Sequence, residues 1–316
     1  MGTLVGYNKA PIGTGRPHGV LDIADQHFPL TLDEGVPEIR DLYRKAKRSE
    51  WNPATDIAWE KLDLSRYTTE ELFAARQYWS RRAWSEYGAI AESPAMLLRF
   101  TKERREVDLS LFWTIRTQEE VRHADVCRRM ADALGGYMSE PVSQDLAGSV
   151  ATHGVRGMSF DADTPLEALI ASLICCAEVI AFDVFRALIK TTTDPVAKQI
   201  LQLIFRDEVR HCDFGWYYMD YRAPHMSAAE LVVVRDKVVW MIEDVELKGY
   251  HSTWLSPFPD VSEIESDRLV YEAGLGATVE EVEMPVLVKS VAGIRARMRS
   301  WGVELPEFEH TGMGRF

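Results

Sequence analysis

Residues 119–123 read Glu119-Glu120-Val121-Arg122-His123, and residues 207–211 read Asp207-Glu208-Val209-Arg210-His211. Each stretch contains Glu-x-x-His, which on a helix sets a carboxylate and an imidazole on one face, one turn apart. A single copy means little, because charged helices produce it by chance. Two copies that share Val-Arg-His, lie on separate helical segments and are embedded among apolar residues point to two halves of one metal site.

The chain around these stretches reads as helical. Thr68 and Glu71 have the spacing of a capping box, in which each side chain closes an orphan backbone donor. From Leu72 to about Phe100 apolar residues recur with a helical period, and Pro94 is expected to kink that first helix or distort one turn. The polar run Thr101–Glu106 reads as a turn. A second helix is predicted from about Asp108 to Leu134, stopped by Gly135-Gly136. A long connection over residues 135–163 follows. Pro165 opens a third helix to about Lys190, and Asp194-Pro195 opens a fourth to about Tyr221. Further helices are predicted over Pro37 to about Arg48, over Ala228 to about Lys248, and in two or three short pieces before the tail. Residues 1–36 read as irregular, and Trp51–Arg66 as a linker with a helical turn. No segment shows the two-residue alternation of strands. The expected class is all-α: four long helices in two short hairpins joined by one long connection, the plan of a ferritin-type bundle. The predicted division is an N-terminal extension over 1–67, the bundle over 68–223, and a C-terminal helical extension of the same domain over 224–316.

The remaining ligands should be carboxylates on the first and third helices. Glu178 is the only charged residue across Ala168–Phe182, and an ionised carboxylate there is costly to bury without a compensating cation. A salt bridge to an arginine on a neighbouring helix is one explanation. A metal is the better one, because Glu178 stands 30 residues before Glu208, a distance suited to a hairpin with both groups at one depth. On the first helix Glu86 and Glu92 compete. Glu86 lies close to the stripe of Trp79, Ala83, Tyr87 and Ile90, and stands 34 residues before Glu120, whereas Glu92 points to nearly the opposite face. Glu86 is preferred, with Glu92 in reserve.

The candidate site is therefore Glu86, Glu120, His123, Glu178, Glu208 and His211. Carboxylate oxygens with two imidazoles suit iron or manganese better than a thiolate-loving metal. Glu119 and Asp207 precede the ligand glutamates, where they could accept the second N–H of each imidazole, with Arg122 and Arg210 holding them.

The whole-chain numbers set limits. With 316 residues the chain can bury a substantial core. A formal net charge of −13 argues against nucleic acid or an anionic membrane as the main partner, despite the basic run Lys45–Arg48. The longest uncharged apolar stretch, Ala168–Ala177, is too short to span a bilayer. No charged-then-apolar leader opens the chain, and none of Cys127, Cys175, Cys176 and Cys212 has a C-x-x-C spacing, so reduced thiols in a cytoplasm are expected.

In these residues the sequence resembles the ferritin-like diiron-carboxylate superfamily, which includes bacterial multicomponent hydroxylases, aldehyde-deformylating oxygenases, arylamine N-oxygenases and the small subunit of ribonucleotide reductase. The resemblance covers about Thr68–Tyr221 and rests on Glu, Glu-x-x-His, Glu and Glu-x-x-His on successive helices. The strings Ser85-Glu86-Tyr87-Gly88-Ala89 and Asp207-Glu208-Val209-Arg210-His211 look like that superfamily's ligand neighbourhoods. Cys127 stands where radical-forming reductase subunits usually carry a tyrosine, which speaks against a tyrosyl radical. Ile204 stands where arylamine N-oxygenases carry an extra histidine, which speaks against that assignment.

The resemblance implies a non-heme diiron oxygenase, with Mn/Fe as a variant, that activates O2 to oxidise a small organic substrate by hydroxylation, N-oxygenation or a related reaction. An external reductase or ferredoxin is then expected to supply electrons, since nothing here looks like a flavin, nicotinamide or iron–sulfur site. A homodimer is expected. The competing class is a ferroxidase or iron-handling protein. Near the metals Cys127 and Cys175 are expected, with Phe182, Phe112 and Trp113 as candidate pocket walls, and Gly215 leaving space beside His211.

Overall fold

The structure is a computed structural model that describes residues 35–139, 159, 161 and 163–316. Residues 1–34, and most of the connection predicted over 135–163, lie outside the described residues. The fold is all-helical, with one small hairpin at the C-terminus.

The bundle consists of α2 (Thr69–Ala89), extended by α3 (Glu92–Lys102), then α4 (Val107–Ala133), α5 (Leu166–Thr191) and α6 (Pro195–Arg222). The predicted capping box forms: Thr68 Oγ1 accepts from Glu71 N at 3.2 Å, and Glu71 accepts from Thr68 N at 2.7 Å. Asp194 caps α6 by accepting from Val196 N and Ala197 N, and Pro195 takes the first-turn position where its missing N–H costs nothing.

Two local features depart from regular α-helical winding. The turn before Pro94 is distorted, as expected: the first helix breaks at Ile90-Ala91, so that Pro94 falls in the first turn of α3. There the ring removes a donor that has no intrahelical partner anyway. The second departure is in α5, where Ile170–Glu178 winds as a π-helix, with i→i+5 bonding in place of i→i+4. Glu178 is its last residue, so the wider winding sets the angle at which this carboxylate leaves the helix.

α1 (Pro37–Arg48) packs on α4 and α6, and Asp108 accepts from Val36 N at 2.9 Å at its start. After the bundle come α7 (Ala228–Trp240), α8 (Val261–Glu272) and α9 (Glu280–Arg299). α8 lies on α2, where Arg81 reaches Glu263 and Asp267. Trp79 Nε1 donates to Leu275 O at 2.9 Å on the same side. α7 and α9 pack on α5. The tail closes as β1 (Glu309–His310) against β2 (Gly314–Arg315).

Apolar packing forms two buried clusters. One gathers Trp79, Met130, Leu188 and Ile200, and the other Phe100, Trp113, Phe214 and Met241. Along α2 with α3, α4 and α6 the predicted ligand positions fall between these sets, so the polar layer lies between two dry ones, while on α5 Glu178 is flanked on both sides by the second set. α5 is long and apolar enough to cross a membrane by length and composition, but 72% of its most apolar window is buried inside the protein. It is the core helix of the bundle, which accounts for an apolar span longer than the stretch singled out in the sequence.

Candidate metal centre

α4 and α6 each present a glutamate and a histidine from the same helix face, and α2 and α5 add Glu86 and Glu178. All six predicted residues come together. Glu86, Glu120, His123 and Glu208 offer one ligand atom each, all within 4.8 Å of one another, and so do Glu120, Glu178 and His211. Glu120 belongs to both groups. Glu208 also spans them: its Oε1 lies 3.2 Å from His123 Nδ1 and its Oε2 lies 2.8 Å from His211 Nδ1. Glu120 does the same at longer range, 3.7 Å from His123 Nδ1 and 3.5 Å from His211 Nδ1. Glu86 is 3.8 Å from His123 Nδ1, and Glu178 is 3.0 Å from His211 Nδ1. The arrangement is two adjacent cation-sized groups, with two carboxylates placed to bridge them.

The far nitrogens of both imidazoles are taken up by carboxylates, and they cross over. His123 on α4 sets Nε2 3.3 Å from Asp207 Oδ2 on α6, while His211 on α6 sets Nε2 2.9 Å from Glu119 Oε2 on α4. Arg210 bonds to both Glu119 and Asp207, and Arg122 lies 3.7 Å and 3.5 Å from them. Trp51 Nε1 donates to Asp207 Oδ2 at 2.8 Å. The carboxylates, buried to the last few per cent, thus fix each ring so that Nδ1 faces the cluster.

The donor set fits metal ions. Nδ1 of His123 is buried with no hydrogen-bond partner among the described residues, although carboxylates surround it. Such a nitrogen is costly to leave in a dry interior, and a cation is the group that would use it. Burial would push both imidazoles down, but the carboxylates outweigh it. Asp207, Glu120 and Glu208 hold His123 well above its usual range, and Glu208, Glu119 and Glu178 do so for His211. Burial likewise pushes Glu86 up, only partly offset by His123 and Arg82. Against burial, Arg116 draws Glu120 down, and His211 draws Glu208 well down. Metal ions would replace these protons as counter-charge.

The salt bridge considered for Glu178 is also present. Arg116 Nη2 lies 3.0 Å from each Glu178 oxygen and 2.9 Å from Glu120 Oε1. Sequence reading missed this residue, although it stands one turn before Glu120 on the same face. It also missed Trp51, which sits in a segment without helical period. Glu92 is corrected. The break at Ile90-Ala91 turns it inward, where it is buried 3.9 Å from Arg116 and lines the same cavity, though outside both ligand groups.

A cavity of about 260 Å³ opens from the cluster. Glu86, Glu120, Glu178 and Glu208 form its floor, and Phe182 and Phe185 of α5 one wall. Opposite stand Tyr250, His251, Trp254 and Glu283 from the chain after the bundle. Phe182 is thus a wall residue as predicted. Phe112 and Trp113 are not: Phe112 stacks on Phe214 at 4.2 Å and Trp113 packs against Phe100. Gly215 leaves no space either, because a Cβ there would meet Ile174 Cγ2 at 2.6 Å and Cys175 Sγ at 3.0 Å. It permits close packing of α5 on α6. Cys175 belongs to that contact, and Cys127 sits beside Glu86 and Arg82 with its thiol pushed up to about 12 by burial. All four cysteines are buried and free.

On the cavity's outer wall, His251 Nδ1 lies 3.0 Å from both oxygens of Glu246. Glu283 accepts from Trp254 Nε1 at 2.7 Å, and burial pushes its carboxyl up to about 7. These groups come from loop and helix positions for which the sequence carried no metal-ligand spacing.

No family model matches the chain, and no curated protein matches it. Solved structures do resemble it. A variant of an R2-like ligand-binding oxidase with an anaerobically reconstituted Mn/Fe cofactor is similar at TM-score 0.63 and 17% identity, over 83% of this chain and 92% of that one. An R2-like ligand-binding oxidase with an aerobically reconstituted metal cofactor after photoconversion follows at TM-score 0.60 and 17% identity, over 82% and 92%. A further variant with an aerobically reconstituted Mn/Fe cofactor gives 0.59 and 18%. At such identity the likeness establishes the fold, a ferritin-like helical bundle of the R2 type.

Proposed function

We propose that this chain is a dimetal oxidase of the diiron or Mn/Fe kind, which activates O2 and oxidises a small organic substrate held in the cavity above the cluster. The observation that carries the reading is the pair of donor groups sharing Glu120 at the floor of a single pocket. The resemblance of the fold to metal-loaded R2-like ligand-binding oxidases supports it.

In this reading Glu86, Glu120, His123 and Glu208 would hold one ion, and Glu120, Glu178 and His211, with Glu208 in reach, would hold the other. Redox metals bound there would supply the electrons that reduce O2. The chain supplies the rest. Asp207 and Glu119 keep both imidazoles in the tautomer that leaves Nδ1 free to coordinate. Phe182, Phe185 and Trp254 give the cavity apolar surface on which an organic substrate can pack. His251 and Glu283 face the same space with exchangeable protons. Electrons enter from an external reductase or ferredoxin. The oxygenation type, among hydroxylation, N-oxygenation and related reactions, follows from which substrate atom the cavity presents.

Anaerobic loading with Fe(II), followed by O2, tests the reading. Iron uptake is expected to saturate at about two ions per chain and the bound iron to oxidise without further accumulation. Continued build-up of ferric mineral well beyond that ratio would instead establish an iron-handling role and overturn the oxidase.

A further inference from the structure

The two donor groups are not equal, and the inequality has a visible source. At His123 the imidazole Nδ1 is buried without a hydrogen-bond partner among the described residues. At His211 the corresponding Nδ1 already lies 3.0 Å from Glu178 Oε1 and 2.8 Å from Glu208 Oε2, and Glu208 reaches both positions.

That second group also contains a cation. Arg116 is 2% exposed, and its Nη2 lies 2.9 Å from Glu120 Oε1 and 3.0 Å from both oxygens of Glu178. Glu178 Oε1 is thus shared between the guanidinium and His211 Nδ1. A divalent ion bound by Glu120, Glu178 and His211 has to take oxygens that Arg116 now occupies. The other end of the guanidinium is anchored away from the cluster, with Nη1 donating to Ser93 Oγ at 2.8 Å and lying 3.9 Å from Glu92 Oε2.

We propose that Arg116 is a resident counter-ion for the position at His211 and makes metal loading ordered. It rests on the dimetal reading given above. The first ion fills the group at His123. The second binds more weakly, because it meets like charge and must draw Glu120 and Glu178 off the guanidinium, which then falls back on Ser93 and Glu92. At separations of a few ångströms in a partly desolvated site, repulsion between two cations is large enough to separate the two affinities by tenfold or more.

Titration of metal-free protein with Mn(II), reading free Mn(II) by its paramagnetic resonance, tests this. The unaltered chain is expected to bind in two phases whose dissociation constants differ by about tenfold or more. In Arg116→Met the two phases should close to within a few-fold. Thermal unfolding supplies the readout that a structural role would not move: Arg116→Met should lower the Tm of the metal-free chain while enlarging the Tm gain on adding Mn(II). Should Arg116→Met fail to fold, Arg116→Lys, whose compact ammonium cannot span both carboxylates, should narrow the gap in the same direction. Two equal affinities in the unaltered chain, or an unchanged gap in the folded variant, would overturn the inference and leave the dimetal site standing. A chain that binds no Mn(II) or Fe(II) would overturn the dimetal reading itself.

Discussion

His123 Nε2 lies 3.3 Å from Asp207 Oδ2, so the imidazole of one Glu-x-x-His helix is held by the residue that precedes the same motif on the other. Asp207 is itself fixed by Trp51, Arg210 and Arg122. Asp207→Asn keeps the size and removes the charge that orients and polarises the ring. Metal affinity at the His123 group should fall by about 10–100-fold, and Glu119→Gln should act equally on the His211 group. Competition titration with a chelator measures both; an unchanged affinity in Asp207→Asn would mean that the carboxylate is only a structural ion-pair partner.

Glu178 and Glu92 line one cavity but differ in their neighbours. Glu178 contacts His211 Nδ1, whereas Glu92 lies 3.9 Å from Arg116 and belongs to neither ligand group. Glu178→Ala is expected to lose the ion at the His211 group, and Glu92→Ala to keep both, as read by metal analysis of desalted protein. The reverse pattern would exchange the two roles.

Glu283 makes stability depend on pH. Burial raises its folded pKa from 4.5 to about 7, so the folded chain holds the proton more tightly than the unfolded one. Its contribution is therefore fully present below pH 4.5 and is lost as pH rises toward about 7. Glu283→Gln removes that loss. Relative to the unaltered chain it should gain up to about 3 kcal/mol between acid and pH 8, measured by denaturant unfolding at both. An equal difference between the two chains at both pH values would show that Glu283 ionises freely.

Gly215→Ala tests the contact between α5 and α6. A Cβ 2.6 Å from Ile174 Cγ2 forces the helices apart or the isoleucine to move. The expected cost is about 1–3 kcal/mol, seen as a lower Tm. A neutral or stabilising substitution would mean that Ile174 moves freely.

The sequence carried the helices and the six candidate ligands because both depend on local spacing. Glu178 stood out as one charge in an apolar run, and the two Glu-x-x-His stretches marked themselves by repetition. What escaped it depends on geometry between segments. Arg116 looked like any charged position on a charged helix, although its one-turn distance from Glu120 was a usable signal. Trp51 reaches Asp207 from a segment without period. The inward turn of Glu92 depends on where the helix breaks near Pro94, and a 3.6-residue reading of the third helix misses the π-helical winding of Ile170–Glu178. The outer cavity wall comes from residues after the bundle, whose position no spacing encodes.

The crossed histidine–carboxylate pairs also act on the scaffold. A slip of α4 past α6 by a single turn would break both pairs at once and draw Glu119 away from Arg210. Helical content would scarcely change, yet the cluster would be gone. The polar layer thus serves as a ratchet stop between two otherwise apolar buried faces, and the alignment of the bundle is set by the same atoms that shape its chemistry.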